Sequence, residues 1–406
     1  MSDFLAEVDA GFEGRHGGMK SGLPKFDKFT NNKQKGVFEL VGASAKSGKT
    51  AITNFRHVLY PYLSGAEKHN IIYYSFEISR LETIAKFTAF FLLYDYGIDV
   101  DSSYVFSRGD NKITKEHREK VREVYTNHIV PLFGEYDENG RRKTKGIIDF
   151  IEDKSTPSSI HHHLFTYAEE HGEFIREYYT IDGKEYPRIV GYIENDPDLF
   201  TTIIVDHVGL LKKEKGLSKK ENIDKLSQYM VFFRNRCKFS PVVVSQFNRS
   251  IGSTERLKFN GEQLKPTLED FKDTGSLAED ATIVLALFNP TVFSHLERHN
   301  GYQITQIGKS YRSLHILASR NTIADVTVSL SINGKTGDFV ELPATGDANQ
   351  KQVTEMYNAC GDSFSQQDFM HLHKVLKKLS KETECRDDPP NDTLGEAKGG
   401  GEFDFD

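Results

Sequence analysis

The chain is poor in cysteine, has no long apolar run and carries no excess of positive charge. Its three cysteines, Cys237, Cys360 and Cys385, fall at no ligand or pairing spacing. That excludes a disulfide framework and a cysteine zinc site, and it fits free thiols in a reducing cytoplasm. No stretch approaches the roughly eighteen consecutive apolar residues that a transmembrane helix needs, so no membrane partner is expected. The start, MSDFLAEVDAGFEGRH, lacks a basic region followed by an apolar core and does not read as a secretory signal. The formal net charge of −7 argues at first against nucleic acid. The acid is concentrated, however. From Glu382 to Asp406 there are nine acidic and two basic residues, and the rest of the chain carries 50 of each sign. A neutral body binds nucleic acid where its lysines are grouped.

What is present suits one large α/β domain with extensions: 406 residues, 37% hydrophobic and 27% charged. Apolar runs at 37–42, 70–77, 147–151, 201–206, 242–246, 283–288 and 314–319 read as strands. Between them, helices are expected from Lys49, over 78–94, over 157–171 and over 222–238. Buried strands alternating with helices predict a mostly parallel central sheet with helices on both faces. Residues 1–22 read as an amphipathic helix, with Phe4, Leu5 and Val8 on one face, followed by a glycine-rich linker. Residues 23–345 form the α/β domain. Two insertions, 135–145 and 174–198, carry Asn139-Gly140 and Asp182-Gly183 turns and read as hairpins. Residues 346–385 read as a helical extension, and 386–406 as an acidic disordered tail.

The segment ASAKSGKT, Ala43 to Thr50, follows an apolar strand and opens a helix. That is the context of a phosphate-binding loop, whose backbone amides and helix N-terminus cradle phosphates. The residues that would line it are Ala43, Ser44, Ala45, Lys46, Ser47, Gly48, Lys49 and Thr50. Lys49 would reach the β- and γ-phosphates of ATP, and the Thr50 hydroxyl would bind Mg²⁺. TTIIVD ends on Asp206, a strand-tip carboxylate suited to the same ion. Glu77 follows another strand; it reads as the group that polarises the attacking water, or as an acid favoured by a helix N-terminus. Gln246 ends the strand of VVVSQFNRS, where it would sense the γ-phosphate.

These motifs in this order resemble the motor domain of DnaB-like hexameric helicases: ASAKSGKT, Ser75-Phe76-Glu77-Ile78-Ser79, IIVDHVGLL, SQFNRS, DFKDTGSLAEDA and Ser319-Arg320-Asn321. The resemblance covers roughly Ser21 to Pro343. It implies a RecA-like P-loop core that hydrolyses ATP with Mg²⁺ while moving 5′→3′ on single-stranded DNA. It makes Glu77 the catalytic base, Gln246 the phosphate sensor and Arg320 an arginine finger acting on ATP bound to the next subunit. It also implies a homo-oligomeric, hexameric ring of compact, phage-like form without the family's N-terminal domain, with primase, a loader and a single-strand-binding protein as possible partners. The chain departs from the family at Ala318, where a lysine is usual, at Thr322-Ile323, where Gly-Pro is common, and at His207, where tyrosine is common.

Two basic loops follow the motif strands. One holds Lys212, Lys213, Lys215, Lys219 and Lys220 against a single Glu214; the other holds Arg249, Arg256 and Lys258. In a RecA-type ring both would face the central channel and contact DNA phosphates, although a solvated charged loop has the same composition. Two rivals remain from the sequence: a strand-exchange recombinase that builds a filament, and a helicase-loading or regulatory ATPase.

Overall fold

The computed structural model describes residues 2–14, 16–65, 68–253, 256, 264–271, 275–293, 296–344 and 375. Thirteen strands occur among them: β1 (Glu39–Ala43), β2 (His69–Ser75), β3 (Ile148–Ile151), β4 (Gly172–Ile181), β5 (Lys184–Glu194), β6 (Phe200–Asp206), β7 (Ser240–Gln246), β8 (Ile283–Phe288), β9 (Arg298–His299), β10 (Tyr302–Gln303), β11 (Tyr311–Ser319), β12 (Val326–Ile332) and β13 (Phe339–Glu341). Nine form one sheet in the order β13-β12-β11-β8-β1-β7-β6-β2-β3. From β8 to β3 every pairing is parallel. The other three strands are added antiparallel beyond β8.

Strands such as HNIIYYS and FTTIIVD are buried along nearly their whole length because helices cover both faces. One face presents Leu40, Tyr74, Val205 and Val243 to Ile160, Leu164, Leu226 and Phe233 of helices Pro157–His171 and Lys219–Cys237. The other presents Val41, Tyr73, Ile204 and Val242 to Ile52, Phe87 and Phe91. Adjacent residues face opposite layers, as the strand pleat requires. Both helices of the first layer start at reciprocal caps, Thr156 with Ser159 and Ser218 with Glu221, which satisfy backbone donors that the helix leaves unpaired.

Two insertions are expected to be hairpins, and one segment a linker. The stretch 135–145 turns back on itself around Asn139-Gly140: it holds one antiparallel bridge, Tyr136 to Arg142, flanked by backbone hydrogen bonds from Asp137 to Arg141 and from Lys143 to Glu135, with the Asp137 carboxylate accepting from the amides of Asn139 and Arg141. The hairpin expected over 174–198 forms over 172–194, starting two residues earlier and ending four sooner (β4 and β5, in antiparallel register). The segment read as a linker is tied to the body: Met19 and Lys33 exchange backbone hydrogen bonds, and the Asp27 carboxylate accepts from the Ser21 amide. The first helix, Ser2–Phe12, does form, with Phe4, Leu5, Val8 and Phe12 exposed. The extension and tail expected over 346–406 lie outside the described residues, Val375 excepted.

At the base of β1 the core contains a charged group. Glu39 accepts from Arg56 at 3.1 Å, His57 lies 3.3 Å from the same carboxylate, and the Arg56 guanidinium sits 4.2 Å from the centre of the Phe26 ring. Burial alone would push the Glu39 carboxyl up; Arg56 and His57 together hold it well below its usual range. Glu39→Ala would leave the Arg56 charge buried without its counter-ion. We expect it to destabilise the fold by about 3–5 kcal/mol, read from chemical denaturation midpoints. A loss below about 1 kcal/mol would show that water replaces the carboxylate.

Candidate nucleotide and nucleic-acid site

The parallel strands place their carboxyl ends on one edge of the sheet, where open α/β sheets bind ligands. Ala43, Ser75, Asp206 and Gln246 end β1, β2, β6 and β7 there. Ala43 is level with Gln246, and Ser75 with Asp206. The loop Ala43–Gly48 leaves β1 and turns into the helix Lys49–Asn54. Gly48 adopts φ 102°, in the left-handed region that favours glycine, and Lys46 also has positive φ. Ala45 and Lys46 are exposed, Ser44, Gly48 and Thr50 are half-buried, and Ser47 is buried. The Ser47 carbonyl accepts from Arg312 Nε at 2.8 Å. Arg312 is itself buried, and burial lowers its pKa to about 10. This brace from β11 was not visible in the sequence.

Lys49, Glu77 and Asp206 converge at this edge. Lys49 Nζ lies 3.3 Å from Glu77 Oε2, and His207 Nε2 lies 3.6 Å from the same oxygen. Glu77 is half-exposed, whereas Asp206 is 3% exposed. Burial pushes the Asp206 carboxyl up; a hydrogen bond with Thr50 and the Lys49 charge oppose that shift. Its Oδ1 is buried and has no hydrogen-bond partner. An orphaned carboxylate oxygen beside the Thr50 hydroxyl is a donor set that fits Mg²⁺, which takes one or two protein oxygens and completes its shell with phosphate and water. No cluster of three or more His, Cys, Asp or Glu side chains suited to a metal occurs among the described residues.

His207 escaped the sequence reading except as a departure from a family pattern. Its Nδ1 accepts the Gly209 amide at 3.2 Å. Burial, then the nearby Lys49 charge, hold the imidazole below its usual range, and Glu77 only partly offsets this. With Gly209, Lys219, Gln246 and Asn248 it lines a cleft of about 460 Å³.

The lysine loop leaves the same edge. Lys212, Lys213, Lys215 and Lys220 are exposed, and Lys219 is half-buried. The loop is anchored: the Lys212 amide donates to the Ser155 carbonyl, and Glu214 accepts from the Ser158 amide and from Lys225. The lone acid of the loop is thus turned inward, away from the lysines. In the second basic loop one of the three cations can be placed. Arg256 is ion-paired with Asp270, which is 0% exposed, and also donates to the Lys265 carbonyl. A fully buried carboxylate needs its counter-charge, and Arg256 supplies it from within the same loop. Lys258 and the side chain of Arg249 lie outside the described residues.

Arg320 is not brought to this site. It follows β11, whose Ser319 pairs with Ile283 at the start of β8, level with Glu39. The P-loop begins four residues further along β1, roughly 13 Å away at about 3.3 Å per residue. The Arg320 guanidinium donates to the Ala281 and Glu279 carbonyls.

Compared with known proteins, residues 189–341 match the family model of the DnaB-like helicase C terminal domain. A solved ATPase domain is similar at 16% identity and TM-score 0.61, over 84% of this chain and 98% of that one. A solved DnaB-like replicative helicase, described with its interactions with primase, is similar at 16% identity and TM-score 0.57, over 84% of this chain and 67% of that one. No curated protein matches. The fold is that of RecA-like ATPase domains, and the matched family is one of ATP-hydrolysing P-loop enzymes.

Proposed function

We propose, from the match of residues 189–341 to the DnaB-like helicase C terminal domain, that this chain is an ATP-driven helicase that moves along single-stranded DNA and hydrolyses ATP at the subunit interfaces of a ring, a hexamer by family analogy. The observation that carries the reading is the convergence of Lys49, Thr50, Asp206 and Glu77 at one sheet edge, with the lysine loop leaving that same edge. The amides of Ala43–Gly48 and the helix N-terminus cradle the phosphates. Lys49 leaves Glu77 to clamp the β- and γ-oxygens. Thr50 and Asp206 would hold Mg²⁺, which would supply charge neutralisation at the phosphates. Glu77, released from Lys49, orients the attacking water and takes its proton. Gln246, level with Ala43, reports the γ-phosphate to the loop that follows it. Replication proteins, primase among them, are the partners this role calls for.

Lys212, Lys213 and Lys215 are the residues that would meet phosphate. Replacing all three with alanine should weaken single-strand binding and flatten its salt dependence by about 0.7 in log–log slope per lost contact. Binding curves at several salt concentrations decide this, and parallel curves of equal slope would remove these lysines from the DNA path. Imaging with an ATP analogue and an oligonucleotide tests the ring. A continuous filament would favour a recombinase, and monomers without DNA-stimulated hydrolysis would favour a regulatory ATPase.

A further inference from the structure

His207 stands between the two halves of the proposed motor. Its Nδ1 accepts the Gly209 amide, so in the neutral ring the proton is on Nε2. That nitrogen faces Glu77 Oε2 at 3.6 Å, just beyond hydrogen-bond reach. Glu77 has a second partner, Lys49, at 3.3 Å. Once Lys49 turns to the nucleotide phosphates, His207 is the donor that remains beside the carboxylate, and a closure of a few tenths of an ångström completes the bond. Contacts of this kind are commonly long before substrate binds.

The other side of the ring is held by the nucleic-acid loop. Residues Val208–Leu210 form a 3-10 turn that begins at His207, with the Leu210 amide donating to the His207 carbonyl. The chain then runs into Lys212, whose carbonyl accepts from Asn222 and whose amide donates to Ser155. Gly209 fits tightly on the imidazole: a Cβ there would lie 2.9 Å from both Cε1 and Nδ1. Glycine is therefore required for its amide to reach the ring. A shift of Lys212 and its anchors on binding a strand would reach Gly209 within three residues, and the ring packed on Gly209 would move with it.

We propose that His207 is a positioning residue that couples occupancy of the lysine loop to the orientation of Glu77, so that nucleic acid on the loop sets the rate of ATP hydrolysis. The inference rests on the helicase reading above, with Glu77 as base and the lysine loop on DNA. It gives the coupling a single path, Gly209 to His207 through a hydrogen bond and His207 to Glu77 across the 3.6 Å contact that closes.

The test is steady-state ATP hydrolysis by the full chain with and without oligo-dT. His207→Ala should lose the DNA-dependent rise in kcat by roughly ten-fold or more, as expected for a misplaced catalytic group, with KM for ATP within about two-fold. His207→Gln keeps an N–H near the position of Nε2 and should recover most of the rise; a merely structural histidine would not be replaced this way. Gly209→Ala touches the ring only from the loop side and should behave like His207→Ala. Thermal melting of each variant confirms that it is folded, and Gly209→Ala carries the test should His207→Ala unfold. A stimulated wild type with an equally stimulated His207→Ala or Gly209→Ala overturns this inference alone. A wild type that oligo-dT does not stimulate overturns the helicase reading and this coupling together.

Discussion

Glu77→Gln is expected to retain ATP while turning it over about 10²- to 10⁴-fold more slowly, the range for losing a general base. The carboxylate is within 3.3 Å of Lys49 Nζ, and that pair has to open before Lys49 can clamp phosphate. Glutamine is nearly isosteric and uncharged. It removes the base and also removes the competitor for Lys49. With the Glu77 side of the pair half-exposed, it contributes no more than about 1 kcal/mol, so ATP binding should be unchanged or up to about five-fold tighter. Lys49→Ala gives the opposite pattern. The lysine is 8% exposed and reaches into the site from the first turn of its helix. Without it both nucleotide affinity and turnover should fall to background. Equilibrium binding of a fluorescent ATP analogue, paired with phosphate release, separates the two variants. Turnover by Glu77→Gln near the wild-type rate would remove Glu77 from the base role and leave Asp206 or a bound water as the acceptor.

The nucleotide half of this site was legible in the sequence because its parts are local. A P-loop occupies eight consecutive residues. The strands that position it are buried on both faces, so they read as continuous apolar runs whatever lies beside them. The antiparallel extension was harder to read. β12 runs Val-Thr-Val-Ser-Leu-Ser-Ile, whose alternating hydroxyls interrupt the apolar run although its last five residues are buried, and β13 is three residues long. The groups that support the site were hidden for a different reason: they act across the chain. Arg312 braces a carbonyl 265 positions away. Arg256 meets a buried aspartate fourteen residues on. His207 gains meaning only when β2 and β6 pair and bring Glu77 to its ring. Local patterning fixes which edge of the sheet is chemical; the side-chain partners on that edge follow from topology that no single segment carries.

Arg320→Ala should reduce ATP turnover by roughly 10³-fold or more, the effect of removing a finger that stabilises charge on the transferring phosphoryl group. The argument starts from distance. Arg320 is level with the first residue of β1, and its own P-loop lies beyond the last. No rotation of the side chain spans that gap, so a P-loop that Arg320 served would have to belong to another copy. In the isolated chain its guanidinium rests on the Glu279 and Ala281 carbonyls at the end of helix Gly275–Asp280. The partial negative charge of a helix C-terminus favours a cation there. Carbonyls exchange readily for the more highly charged phosphate oxygens of a bound nucleotide. The distinguishing experiment mixes Arg320→Ala with Lys49→Ala. Each is inactive alone, yet an interface between them can join an intact P-loop to an intact Arg320, so activity should reappear and peak near equal proportions. If Arg320 only caps its own helix, the damage stays within each chain and no mixing ratio restores hydrolysis. That outcome, with assembly of the mixed population verified by light scattering, would return Arg320 to a structural role and leave the interface without its cation.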